Sequence, residues 1–114
     1  MKSHAAVAAV LLGNERLVNE VLADLDTSSL TPAEKVLMHF LDRVNEESPC
    51  ITAHELEPVR AAGWTDEQLW YAITVCALFN FYNRWIDATG VHAMSDQAHR
   101  EGAVRSAASG YAPS

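Results

Sequence analysis

The sequence of 114 residues predicts an all-α protein, a single-domain bundle of about five helices. Three capping boxes, in which a Thr is followed three residues later by Glu or Gln, stand at 31–34, 52–55 and 65–68. Apolar residues recur at helical spacing along most of the chain. No stretch alternates apolar and polar residues between hairpin turns, which is the pattern typical of a strand. Helices alone therefore account for the sequence.

The first half of the chain predicts three helices. Apolar residues recur at helical spacing at 7–11 and again at 17–25. Gly13 stops the first of these helices, and Asn14 can cap the second. The first capping box then opens a helix that runs to about Glu47.

The second half predicts two helices and a tail. The second box opens a short helix that ends at Gly63, and Pro58 should kink this helix or split off its first turn, because proline lacks a backbone donor. The third box opens the longest helix, which ends at Gly90. Residues 93–114 are rich in Ala, Ser, Gly and charge, so we expect a weak helix or loose tail after a domain of residues 1–92.

Composition and charge exclude several classes of function. With 49% apolar and 20% charged residues the chain is globular, and its net charge of −7, without a basic cluster, repels nucleic acid. The apolar stretch 69–79 is too short to span a membrane. The apolar run 5–12 is not followed by the small-residue cleavage site of a signal peptide. We therefore expect a soluble protein. Two cysteines are too few for a disulfide scaffold, so we expect it in the reducing cytoplasm.

The longest helix carries apolar residues on nearly every side, so it must be buried in a bundle or against another subunit. We therefore expect a homo-oligomer formed through this aromatic helix. Asn80, Asn83, Arg84 and Asp87 are three or four residues apart and form one polar stripe on it. We interpret the stripe as structural, with an ion pair between Arg84 and Asp87 that is partly buried and fixes how the helix docks.

Residues 3–91 resemble the alkylhydroperoxidase-like, carboxymuconolactone decarboxylase superfamily, in its peroxidase-related branch. The matching segments are SHAAVAAVLLGNERLVNEVLAD, LTPAEKVLMHFLDRV, ITAHELEPVRAAGWTDEQL and FNFYNRWID, in that order. The Asn-Phe-Tyr-Asn-Arg block and the order of the segments are more specific than the helix caps. The resemblance implies an alkylhydroperoxidase-like helical fold.

Redox members of this family carry C-x-x-C-x-x-x-H, and His4 matches the histidine of that motif. The resemblance implies that His4 relays protons to a neighbouring thiol. The second cysteine of the motif would fall immediately before Met1. Three explanations stay open: a start codon placed too late, a truncated fragment, or a short paralogue that has lost the redox pair.

Cys50 and His54 repeat the cysteine-to-histidine spacing of the motif at the start of a capped helix, where a thiol pKa is lowered. In the resemblance this segment lies away from the active site, so Cys50 is a weak candidate for a reactive thiol. Cys76 lies within the longest helix and reads as a small buried apolar residue. The remaining histidines lack paired ligand spacing, so neither a metal nor a cofactor is expected.

Two functions from different classes follow from these observations. The first is a peroxidase-related, thiol-dependent antioxidant protein, whose partners in a complete member would be a peroxide and a thiol reductant. Because the cysteine pair is absent from this chain, we predict no peroxide reduction by it unless Cys50 substitutes for the missing pair. The alternative is a non-catalytic, oligomeric helical interaction module. A carboxymuconolactone decarboxylase-type enzyme is the third possibility.

Overall fold

The computed structural model describes residues 2–92 and 94–110. Met1 and residues 111–114 lie outside the described residues. The sequence left open whether Met1 is the natural start, and 111–114 are the last residues of the expected tail. The described residues form six α-helices and one 3₁₀-helix at Ser48–Cys50; the α-helices are α1 (Lys2–Leu12), α2 (Glu15–Ala23), α3 (Pro32–Glu47), α4 (Ala53–Ala61), α5 (Asp66–Thr89) and α6 (Asp96–Ser109).

The predicted all-α class is confirmed, and the predicted number of helices, about five, is one too few. The additional helix is α6, which forms where the sequence left open a weak helix or a loose tail. Ser95 caps α6, because its hydroxyl accepts a hydrogen bond from the backbone N–H of Ala98 at 3.2 Å.

The predicted helix starts are confirmed for α2, α3 and α5. The Asn14 side chain accepts a hydrogen bond from the backbone in the first turn of α2. Thr31 and Glu34 form a complete capping box at α3, where each side chain bonds to the backbone N–H of the other residue. Thr65 and Gln68 do the same at α5. These bonds satisfy backbone donors that have no partner within the helix.

The first turn is not separated from the second at Pro58, because α4 runs without interruption from Ala53 to Ala61. Pro58 removes one donor only, and its carbonyl still accepts the N–H of Ala62 at 3.0 Å. Val59 is 1% exposed, so the packing of its side chain holds the second turn in helical form. Gly63 ends the helix with a φ of 102°, which glycine adopts without strain.

The chain divides into two compact units, a central unit of Leu30–Val91 and a terminal unit of Met1–Ser29 with His92–Ser114. The sequence placed one boundary, between residues 92 and 93, and treated 1–92 as one domain. The contacts instead group the chain's two ends, because α6 packs against α1.

The central unit contains α3, α4 and α5. Its buried core consists of Leu37 and Phe40 from α3, Val59 from α4 and Leu69 from α5. Trp64 packs against this core, and its Nε1 donates a hydrogen bond to the carbonyl of Ala33 at 2.8 Å. A second link joins α3 to α4, where Arg43 Nε lies 3.1 Å from Glu55 Oε1.

The terminal unit contains α1, α2 and α6, with Val7 and Ala103 buried. The chain beyond α2 is tied back to that helix by the Glu20 carboxylate, which accepts hydrogen bonds from Ser29 N–H at 3.0 Å and Ser29 Oγ at 2.6 Å. These bonds, together with the hydrogen bond from Arg16, lower the pKa of Glu20 to about 2.

Candidate functional site

His4, the residue that matches the family histidine, lies in the first turns of α1 in the terminal unit. His4 is an exposed residue, but protein atoms around its imidazole partly desolvate the charged form. This desolvation lowers the pKa of His4. A lowered pKa keeps more of the imidazole neutral at pH 7, which is the form that accepts a proton. Both cysteines of the chain belong to the central unit.

Cys50 is exposed at the end of the 3₁₀-helix, two residues before the Thr52 that precedes α4. The ion-pair contact of His54 is to Glu57, with Nδ1 and Oε1 3.3 Å apart, and both of these side chains are largely exposed. The bond that fixes the start of α4 runs from Thr52 N–H to the Glu55 carboxylate at 2.9 Å. The acids of this segment therefore cap α4 and pair within it, and Glu55 also bonds to Arg43 of α3.

Cys76 lies on the side of α5 that packs against α3. Its Sγ donates a weak hydrogen bond to the carbonyl of Leu41 at 3.8 Å and receives one from Asn80 Nδ2 at 3.8 Å. Burial, aided by the negative charge of Asp42, raises the pKa of the Cys76 thiol. The thiol is thus held protonated and acts as a packing residue. Cys50 and Cys76 are both free, so they form no disulfide with each other.

Across residues 2–92 and 94–110, no group of three or more His, Cys, Asp or Glu side chains is arranged to hold a metal ion. In the same residues, no helix is both long enough and apolar enough to cross a lipid bilayer.

The polar stripe shares one face of α5, as its spacing predicted, but its bonding differs from the prediction. Arg84 Nη1 donates to the backbone carbonyl of Asn80 at 3.2 Å and to Asn80 Oδ1 at 3.1 Å. Asn80 Nδ2 in turn donates to the carbonyl of Cys76 at 3.2 Å. The predicted partly buried ion pair between Arg84 and Asp87 is therefore wrong, since Arg84 reaches back one turn to Asn80 and both charged residues are exposed.

The opposite face of α5 carries large apolar side chains that its own core does not cover. Leu69 is the buried residue of this helix, at 1% exposure, whereas Tyr82 is 53% and Trp85 59% exposed. We call the exposed side the aromatic face; it comprises Trp70, Tyr71, Leu78, Phe81, Tyr82 and Trp85. Contiguous apolar surface of this kind on a small chain is typical of an interaction site.

The aromatic face and the polar stripe together explain the sequence of α5. Leu69, Ile73 and Cys76 lie toward α3, and the polar stripe continues their line along the C-terminal half of the helix. The helix therefore carries its polar side chains on the line of its own core and its aromatic side chains on the outside. In its C-terminal half, α5 is therefore the reverse of an ordinary surface helix, in which the apolar stripe faces the core.

The terminal unit contains an open cleft of about 390 Å³ between α1, α2 and α6. Its lining includes alanines of α1 together with Glu15, Asp96, His99 and Arg100. The sequence did not point to this cleft, because its lining residues come from helices that are far apart in the chain. The charged residues of its lining carry both signs, so the cleft defines no particular ligand.

The sequence matches no protein-family model, and neither a curated protein nor a solved structure matches it. The resemblance stated above therefore stays a prediction. The aromatic face lies on the helix for which the sequence predicted a subunit interface, and its side chains are exposed.

Proposed function

We propose that this chain is a helical interaction protein of the peroxidase-related, alkylhydroperoxidase-like type, and that the aromatic face of α5 binds a second copy of the chain. The observation that carries the proposal is the exposure of that face. Six large apolar side chains lie on the outside of one helix, while the core of the central unit is built from other residues.

The size of the aromatic face supports a stable dimer. A buried aromatic side chain removes 150–250 Å² from water, so covering these half-exposed side chains buries on the order of 800 Å² on each copy. This is the area that one partner contributes to a standard protein interface. Trp and Tyr are also the side chains that most often dominate binding energy.

The proposal assigns no peroxide reduction to the chain itself. The resemblance implies chemistry by two neighbouring cysteines, whereas Cys50 and Cys76 are far apart in the sequence. The pKa of the Cys76 thiol is also raised. The proposal includes a cytoplasmic location, supported by two cysteines that are both free.

Analytical ultracentrifugation tests the proposed association. At micromolar concentration we expect the chain to sediment at twice its mass of 12.5 kDa. Trp85→Ser should weaken the dimer by about 2 kcal/mol or more, or about 30-fold in Kd, because an aromatic anchor is lost from the interface. Trp85→Ser should then sediment as a single chain at the same concentration.

Leu22→Ser provides the matched control. Leu22 lies on α2 and is 55% exposed, close to the exposure of Trp85. Both substitutions therefore replace an exposed large apolar residue by serine. We expect Leu22→Ser to keep the dimer. A wild-type chain that stays monomeric contradicts the proposal, and this includes the case in which the aromatic face binds a different protein. A dimer that survives Trp85→Ser unchanged also contradicts it.

A further inference from the structure

Six residues of α5 follow a heptad spacing, with successive intervals of four, three, four, three and four. We call them the seam; they are Tyr71, Val75, Leu78, Tyr82, Trp85 and Thr89. A repeat of 3.5 residues keeps side chains in line on a helix that winds around a second helix. The apolar residues on nearly every side of this helix masked this spacing in the sequence.

The seam lies on the outside of the central unit. Leu78 stands nine residues, or two and a half turns, after the buried Leu69, so the two side chains leave opposite sides of the helix. Leu78 is 51% exposed, and Tyr71 at one end of the seam is 74% exposed. A second helix can therefore approach the seam without displacing the core.

No charged residue stands on the seam or on the positions that flank it. The flanking positions between Tyr71 and Thr89 are Ala72, Thr74, Phe79, Phe81, Ile86 and Ala88. The charged residues of this stretch, Arg84 and Asp87, lie outside both sets. Coiled coils use charges at flanking positions to choose a different partner or register, so an uncharged flank fits a second copy of the same chain.

We infer that two copies pair through α5 in antiparallel orientation, with the twofold axis at the level of Asn80; this inference rests on the proposed function. In this register Tyr71 faces the partner's Thr89, and Val75 faces the partner's Trp85. Leu78 then faces the partner's Tyr82 on either side of the axis.

Side-chain size selects this orientation. Along the antiparallel seam each large residue meets a smaller one: Tyr opposite Thr, Trp opposite Val and Tyr opposite Leu. In a parallel pair in register, Trp85 would face the partner's Trp85 and Thr89 would face the partner's Thr89. The tryptophan layer would then be overfilled and the threonine layer left partly empty. Antiparallel helices also place the positive end of each helix dipole beside the negative end of the other.

Cysteine cross-linking with a short bismaleimide distinguishes the two orientations. The parent is Cys50→Ser, which keeps Cys76 on the core side of α5 as an internal control. Thr74→Cys and Ala88→Cys are added to this parent one at a time, since both are exposed flanking positions. In the antiparallel register Thr74 lies near the partner's Ala88, whereas the two copies of Thr74 are roughly 18 Å apart along the axis.

We expect a cross-linked dimer when the two variants are mixed and none when either variant is alone. Self-links in each separate variant would show a parallel pair, and absence of any link would also overturn the register. Sedimentation of the same samples separates the two proposals: a dimer with the wrong link pattern contradicts the orientation alone, while a monomer contradicts the proposed association.

Discussion

The two thiols of this chain stand in different environments, and this difference predicts how each reacts. Burial raises the pKa of Cys76, whereas Cys50 is exposed. Since the thiolate is the attacking species, we expect peroxide or an alkylating reagent to modify Cys50 well before Cys76. Because no second thiol lies beside Cys50 in the sequence to close a disulfide, we expect modification without catalytic turnover.

Mass spectrometry of peptides from the treated protein gives the order of modification, and peroxide consumption with dithiothreitol gives the turnover. Cys50→Ser is the control for both. Turnover that persists in Cys50→Ser would contradict the proposal that the chain itself is inert, and would require a catalytic role for Cys76.

The polar stripe shows how far residue spacing alone predicts structure. Spacing correctly placed Asn80, Asn83, Arg84 and Asp87 on one side of α5. It did not predict the partner of Arg84, since a long side chain on a helix reaches both earlier and later turns. The carbonyl and the amide oxygen of Asn80 offer two acceptors to one nitrogen, and Arg84 takes both.

At the scale of the element, α5 serves two surfaces, and a matched pair of substitutions separates them. Leu69→Ala removes a fully buried side chain, so we expect it to lower the free energy of unfolding by 2–5 kcal/mol. Leu78→Ala makes the same change on the exposed side of the helix. In dilute monomer we expect it to change the free energy of unfolding by less than about 1 kcal/mol.

Urea unfolding at a concentration where the chain is monomeric measures both values, and sedimentation at higher concentration measures the dimer. Leu78→Ala should weaken the dimer although it leaves the monomer stable. Equal losses of monomer stability in the two variants would mean that Leu78 is buried by its own chain, which would remove the basis for the seam.

Helix starts were predictable from the sequence where a side chain bonds to the backbone nearby, as at Thr31 and Thr65. The helix α6 was not predictable in this way, because it buries small residues. Ala103 is its buried residue, and alanine gives little hydrophobic periodicity. The close packing of α1 and α6 depends on such small side chains, and only the tertiary structure brings these two distant segments together.

At the scale of the whole molecule, the division into two units joins the two ends of the chain, which no local pattern in the sequence shows. This division gives each unit its own small core. All three tryptophans, Trp64, Trp70 and Trp85, belong to the central unit. Tryptophan fluorescence therefore reports on the central unit, while far-ultraviolet circular dichroism reports on the helices of both.

We expect the two signals to give different unfolding curves in urea, because two small cores with separate contacts need not unfold together. Val7→Ala and Val59→Ala are matched substitutions, since each removes the same buried atoms from one unit. Each should cost about 2 kcal/mol in its own unit. Val59→Ala should shift the fluorescence midpoint, and Val7→Ala should shift only part of the dichroism signal. If both variants shift both signals equally, the two units unfold as one cooperative body.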